Sequence, residues 1–164
     1  CSSDLHLSAE LFDSMAGVKM THVPYKGAAP SMVSLLSGET QLTFTTVLVA
    51  LPHVKSGRLR ALGVASLKRA TVMPDVPTID ESGVRGYESI AWYGLLAPAK
   101  TPPAIVEQLH RETLRALQSP DFRGTLTNQG AEPVGNSGEQ FNTIIKEEIE
   151  KWRKLVQALG LKAD

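Results

Sequence analysis

Three times in its first 66 residues the chain passes from apolar residues spaced three and four apart to a short extended apolar run. Ser2, Ser3 or Asp4 can cap a first helix that carries Leu5, Ala9, Phe12 and Ala16 on one face and stops at Gly17. Met20 to Tyr25 is predicted as a strand. A second helix has Pro30 in its first turn, where a missing N–H costs nothing, and runs through Met32, Val33, Leu35 and Leu36 to Gly38. Gln41 to Thr46 is the second predicted strand, with Leu42 and Phe44 alternating against Thr43 and Thr45. Leu48 to Lys55 makes a short helix closed by Ser56 and Gly57, and Leu59 to Ala65 is the third strand. Helix and strand in strict alternation predict an α/β fold with a parallel sheet joined by right-handed crossovers. Such a sheet normally has a strand before its first helix. Here the chain opens on the helix, without an initiator methionine, so the expectation is a fold truncated at its N-terminus.

The second half is built differently. Residues 67 to 85 are punctuated by proline, with a short helix expected from Thr78 to Ser82. Tyr87 to Leu96 is extended and apolar and ends at the run APAKTPP. Two long helices follow. One starts at Pro102-Pro103 and carries Ile105, Val106, Leu109, Leu114 and Leu117. The other runs from about Gly138 to Leu159, with Phe141, Ile145, Ile149, Trp152, Val156 and Leu159 along one face, and Ala131 to Val134 is a short extended piece between them.

A length of 164 residues is enough for one real core, and 42% hydrophobic with 21% charged residues is a globular balance. Lys plus Arg and Asp plus Glu are both 17, so no net field recruits a polyanion, and nucleic acid is not an expected partner. No apolar run approaches the roughly 18 residues of a membrane span. A single cysteine, Cys1, excludes an internal disulfide framework.

No constellation of catalytic groups emerges. His6, His22, His53 and His110 form no HxxxH or HxH pair, and nucleophile-elbow, P-loop and dinucleotide fingerprints are absent. Asp75, Asp80 and Glu81 lie among prolines, where turn and capping roles are expected. Glu147, Glu148 and Glu150 beside Lys146, Lys151, Arg153 and Lys154 read as a solvated helix face. The chain is not expected to be an enzyme, and no cofactor or metal is expected.

What remains is the edge where helices begin. Ligands of open parallel sheets bind beyond the carboxyl ends of the strands, and helix N-termini offer unpaired N–H donors to anions. Small or hydroxyl residues stand at each such start: Ser2 and Ser3, then Gly27, Ala28 and Ala29, then Thr45 and Thr46. Each one alone is also what an ordinary helix cap looks like. Three at one edge point towards a site.

The stretches HLSAELFDSMAGVKMTHVPYKGAAPSMVSLLSGETQLTF, LPHVKSGRLRALGVASLKR, MPDVPTIDESGVRGYES and WYGLLAPAKTPPAIVEQL, followed by GAEPVGNSGEQF and the final helix, resemble the tripartite tricarboxylate transporter substrate-binding family, the Bug or TctC-like proteins. The resemblance implies a periplasmic solute receptor with a periplasmic-binding-protein type II-like fold, a three-layer αβα parallel sheet in each of two domains that close over a small carboxylate. Residues 1–88 would be most of the second domain. Residues 89–164 would be the crossover segment and a C-terminal helical part that packs on the first domain, itself largely missing. It further implies ligand contacts at Ser2, Ser3, Tyr25, Gly27, Ala28, Ala29, Thr45 and Thr46, and membrane components of the transporter as partners. Two positions depart from the family pattern. Thr45 stands where an aspartate is common, which makes an amino-acid ligand less expected, and Cys1 stands where glycine or another small residue is commoner, so its thiol is able to cross-link two chains. The competing expectation is an interaction module that binds no ligand and associates as a homodimer, or by exchange of elements, through apolar surface on the helix of residues 138 to 159.

Overall fold

A computed structural model describes residues 3–160 of the chain. Its regular elements are six helices: α1 (Ser3–Ala16), α2 (Ala28–Ser37), α3 (Val47–Lys55), α4 (Pro103–Gln118), α5 (Pro120–Asn128) and α6 (Gly138–Leu159). They group into two compact units, one of residues 1–93 with 127–131, the other of 94–126 with 132–164.

The expected helices form close to their expected bounds, because their stop signals are local. Gly38 closes α2 in the left-handed region at φ 81°, and Glu39 N–H donates to the Ser34 carbonyl at 3.0 Å, the Schellman-type closure that only glycine enters without strain. α6 opens on a complete capping box: Gln140 N–H donates to the Ser137 hydroxyl (3.2 Å) and Ser137 N–H to the Gln140 side-chain oxygen (2.9 Å). α5 was not foreseen, since its short sequence PDFRGTLTN carries glycine and two threonines and little apolar periodicity.

The three expected strands do not form. Among the described residues there is no β ladder, only one isolated parallel bridge between Val64 and Thr78. The physical reason lies in the partners. Val64 N–H donates to Pro77 O (2.9 Å) and Ile79 N–H to Val64 O (3.0 Å), but Pro77 has no N–H to extend the pairing. The Thr78 N–H is taken by the Glu81 carboxylate at 2.7 Å. Along 20–25, the Met20 N–H is drawn to the Asp13 carboxylate (2.6 Å) and Pro24 offers no donor. No backbone–backbone bond involves residues 23–24 or 41–45 among those described. Alternation gave these segments a face without giving them a neighbour.

The helix expected at Thr78 to Ser82 is a single turn, shaped by a capping box of its own. Glu81 N–H donates back to the Thr78 hydroxyl at 3.0 Å, and Ser82 N–H to Thr78 O at 3.0 Å, before Gly83 ends the turn at φ 113°. The Thr78 amide, then the Arg69 side chain, hold the Glu81 carboxyl below the usual carboxylate range. Asp80 accepts from Gly86 N–H and from Arg85, so both acids serve turns.

Every buried residue among those described lies in the first unit: Met32, Leu51, Val64, Tyr87, Ser8, Ser34 and Thr78, with Tyr87 and Thr78 fully enclosed. At its centre three rings meet at tilted and edge-on angles. Phe12 of α1 lies 5.9 Å from Phe44 and 6.0 Å from Tyr87 between centroids, and Phe44 lies 6.4 Å from Tyr87. Tyr87 is wholly buried and its hydroxyl donates to Ser8 O at 2.9 Å. Burial pushes the Tyr87 phenol far above its ordinary range. Ser8 and Ser89 join hydroxyls at 2.6 Å beside it.

In the second unit α4 and α6 have marked apolar faces but no buried residue. Ile105, Val106 and Leu109 of α4 and Ile149 of α6 are exposed, Ile149 to 61%. Local fits do occur: Gly135 approaches Leu114, Gly94 packs on the Phe141 ring, and His110 meets the Asn136 carbonyl at 3.1 Å.

Candidate functional site

The corner between residues 25 and 31 is built by one glycine. Gly27 precedes α2 with φ 101° and ψ 176°, a conformation closed to residues with a Cβ. Its N–H donates to Tyr25 O at 2.9 Å, which folds the chain tightly back on itself. Having no side chain, Gly27 cannot cap, and no side-chain bond caps α2. Ala28 is half-buried, Ala29 exposed, and neither carries a group that competes for the open amides of the first turn. Lys26, exposed beside them, puts a positive charge at the same corner.

The head of α3 repeats this condition with different residues. Thr46 occupies the cap position at φ −74° and ψ 150°, the backbone of a capping threonine, yet its hydroxyl makes no capping bond. Its carbonyl accepts from Val49 and Ala50 N–H, each at 3.1 Å, so the helix starts properly while its hydroxyl is unspent there. Thr45 is half-buried just before it. Beside the head of α3 the chain returns at Gly130, whose φ is 80° and where an added Cβ would lie 2.4 Å from a Val47 methyl. The contrast with α6 is informative. Where a side-chain cap is used, at Ser137 and again at Thr78, both halves of the box are made; α2 and α3 begin without one.

Side chains tie these two helix heads together. Ser31 in α2 meets Thr43 hydroxyl to hydroxyl at 3.3 Å, two residues before Thr45. Tyr25 meets Ser34 at 2.5 Å. Phe44 joins the same layer to α1 through Phe12, well along that helix from its start. Of the expected site residues, Tyr25, Gly27, Ala28, Ala29, Thr45 and Thr46 thus belong to connected segments. Ser3 opens α1 by its backbone, and Ser2, like Cys1, lies outside the described residues. Sequence reasoning passed over Ser31, Ser34 and Thr43. The signal was present as three serines at intervals of three, Ser31, Ser34 and Ser37, on the otherwise apolar helix stretch SMVSLLS.

His6, His22 and His110 are engaged elsewhere. His6 and Glu10 pair at 3.1 Å, and the His6 and His22 rings stack at 3.8 Å and 14°. Among the described residues no group of three or more His, Cys, Asp or Glu could hold a metal ion, and no helix is long and apolar enough to cross a membrane. An anion meeting the corner would find backbone donors, hydroxyls and one lysine.

Comparison with known proteins gives this geometry a context. The model of the tripartite tricarboxylate transporter family receptor matches residues 1–161. A protein encoded between tcbD and tcbE in Pseudomonas sp. strain P51 is 35% identical over 163 residues, 99% of this chain and 48% of its own length. Protein BugT of Bordetella pertussis is 36% identical over 160 residues, 98% of this chain and 49% of its own. The chain therefore spans about half the length of these relatives. Among solved structures, an R. palustris protein with adipate superposes with a TM-score of 0.89 at 38% identity, covering 96% of this chain and 52% of that one. The periplasmic binding protein BugD gives 0.86 at 32% identity over 98% of this chain and 54% of its own. MatC from Rhodopseudomonas palustris, with bound malate, gives 0.79 at 33% identity over 93% and 53%. The fold is thus that of the Bug-type periplasmic binding proteins, and the chain belongs to the tripartite tricarboxylate transporter family of receptors.

Proposed function

We propose that this chain forms one wall of a periplasmic receptor that binds a small dicarboxylate and delivers it to the membrane components of a tripartite tricarboxylate-type transporter. The observation that carries the reading is the pair of helix heads, α2 and α3, left without side-chain caps and tied together by the Ser31–Thr43 contact. Open N–H donors at Ala28 and Ala29, the hydroxyls of Thr45 and Thr46, and Ser2, Ser3, Tyr25 and Gly27 would hold one carboxylate. Relatives solved with adipate and malate support a ligand with two carboxyl groups. A neutral Thr45 adds no charge to meet an amine, which favours plain carboxylates over amino acids. The reading includes no catalytic step.

In this reading residues 1–88 are most of one ligand-binding domain and 89–164 the crossover and helical part that packs on the other. The segments 20–25, 41–46 and 59–65 are the strands of its three-layer sheet when the rest of the receptor lies beside them; relatives twice as long supply that context. Closure of the two domains on the anion biases an open–closed equilibrium that the transporter senses.

A second reading rests on the second unit. The exposed apolar residues of α4 and α6, Leu109 and Ile149 among them, suit a chain that covers them by pairing with a second copy. The two are separated by calorimetry with a panel of mono-, di- and tricarboxylates, run on the wild-type chain and on Ala28→Leu. Saturable binding of a dicarboxylate that Ala28→Leu weakens at least about tenfold, with folding retained, supports the receptor. Equal binding by both proteins refutes the site. Concentration-dependent dimerisation with no carboxylate binding supports the second reading.

A further inference from the structure

The corner at Gly27 is held from behind by a buried side chain of α2. Ser34 sits in the middle of α2 with 3% of its surface exposed. Serine is a poorer helix former than alanine, and a buried hydroxyl without a partner is destabilising, so an otherwise apolar helix has two reasons to carry alanine there. The Ser34 hydroxyl is fully engaged instead. It meets the Tyr25 hydroxyl at 2.5 Å and the Thr40 hydroxyl at 3.4 Å. Tyr25 is thereby fixed at two points, its side chain by Ser34 and its carbonyl by the Gly27 N–H at 2.9 Å. The path from Ser34 to Tyr25 to Gly27 and back into α2 is a closed loop of bonds around the corner.

One turn earlier Ser31 does the matching work on the other side, reaching Thr43 ahead of the α3 head. These contacts link segments that make few backbone bonds within the described residues: no backbone–backbone bond there involves residues 23–24 or 41–45. Two serines on one face of α2 thus hold the segments before and after it, Ser34 through Tyr25 and Ser31 through Thr43.

Resting on the receptor reading above, we propose that Ser34 is a positioning residue for carboxylate binding: by holding Tyr25 it sets the Gly27 corner and the donors of Ala28 and Ala29, with Ser31 setting the α3 head through Thr43. Ser34 itself contacts no ligand. The expected signature is loss of affinity with the fold intact, and identical loss whichever end of the Tyr25–Ser34 contact is removed.

The test uses Ser34→Ala, Tyr25→Phe and the double variant, with malate and adipate as probes in calorimetry and amide hydrogen exchange of residues 27–31 in the free chain. Each single variant is expected to weaken binding about tenfold, the double no further, and exchange at Ala28 and Ala29 to rise in all three. A purely structural serine would lower the melting temperature and leave both affinity and exchange at the corner unchanged below it; that result overturns the proposal. Weakening by Tyr25→Phe with Ser34→Ala binding as the wild type also overturns it, since Tyr25 would then keep its place without Ser34. If the wild-type chain binds neither probe, the receptor reading fails for this chain. Exchange at residues 27–31 still decides positioning: faster in Ser34→Ala supports it, unchanged refutes it.

Discussion

Raising the pH from 9 to 11 should destabilise the first unit through one buried phenol, that of Tyr87. It has no exposed surface, it donates to Ser8 O, and its surroundings are the rings of Phe12 and Phe44. Ionising it in place would put a charge among apolar rings and turn a donor into an acceptor facing a carbonyl, so burial raises its pKa far above the ordinary value. The unfolded chain has no such constraint and its tyrosine ionises near pH 10. A raised folded pKa means stability fully present below that unfolded value and lost as pH climbs towards the folded one. For a single phenol that stays protonated when folded, the loss is about 1.4 kcal/mol at pH 11 and nearly nothing at pH 9. Tyr87→Phe isolates it. At neutral pH the variant should be about 1–2 kcal/mol less stable, because the buried Ser8 carbonyl loses its donor. Between pH 9 and 11 the advantage of the wild type should shrink by about 1.4 kcal/mol. Urea unfolding in a Trp152→Phe background reads this cleanly, since Trp92, the remaining indole, belongs to the same unit as Tyr87. A wild-type advantage that is flat across this range would refute the argument, and would mean that water reaches the phenol in the folded chain.

Ser137→Ala removes the hydroxyl that caps α6 and should cost the second unit about 1 kcal/mol, read as faster amide exchange over residues 138–141. Gly94→Ala would place a Cβ 2.1 Å from the Phe141 ring, so it should destabilise the second unit by about 1–3 kcal/mol. Combined with Phe141→Leu it should lose less than the sum of the two changes in urea unfolding, because the smaller side chain yields the space. Glu81 has a lowered carboxyl pKa, caused first by the Thr78 amide and then by Arg69, so its contribution is present at neutral pH and fades as acid protonates it. Protection of the Thr78 amide, taken relative to the intrinsic exchange rate at each pH, should therefore fall as acid protonates Glu81 in the wild type, and Glu81→Gln should remove that acid dependence. An acid response that survives in Glu81→Gln would place its origin elsewhere.

The reading of the corner also changes which variant tests it. From sequence, bulky replacements at Gly27 and Ala28 are equivalent probes. The structure separates them: an added Cβ at Gly27 meets open space, yet its φ of 101° strains any other residue, so a Gly27 variant mixes folding with binding. Ala28, inside α2, carries no such penalty, which makes Ala28→Leu the cleaner probe.

What the sequence determined by itself is what short-range chemistry determines. Helix bounds follow from apolar spacing together with Gly38, Ser137, Pro103 and Gly160, each of which acts within a turn of the backbone. The family was legible too, in motifs such as VPYKG and LPHVKSGRLRALGV. Only the tertiary structure decided whether the extended segments are strands, because a strand exists through a partner distant in sequence. For Val64 that partner is limited by Pro77, which has no N–H to extend the pairing. It likewise decided that Thr46 has the backbone of a cap without the bond, and that Ser34 reaches back nine residues to Tyr25. A hydroxyl in a sequence has several potential partners of similar energy. Which one it takes is settled by burial and geometry after the chain has packed.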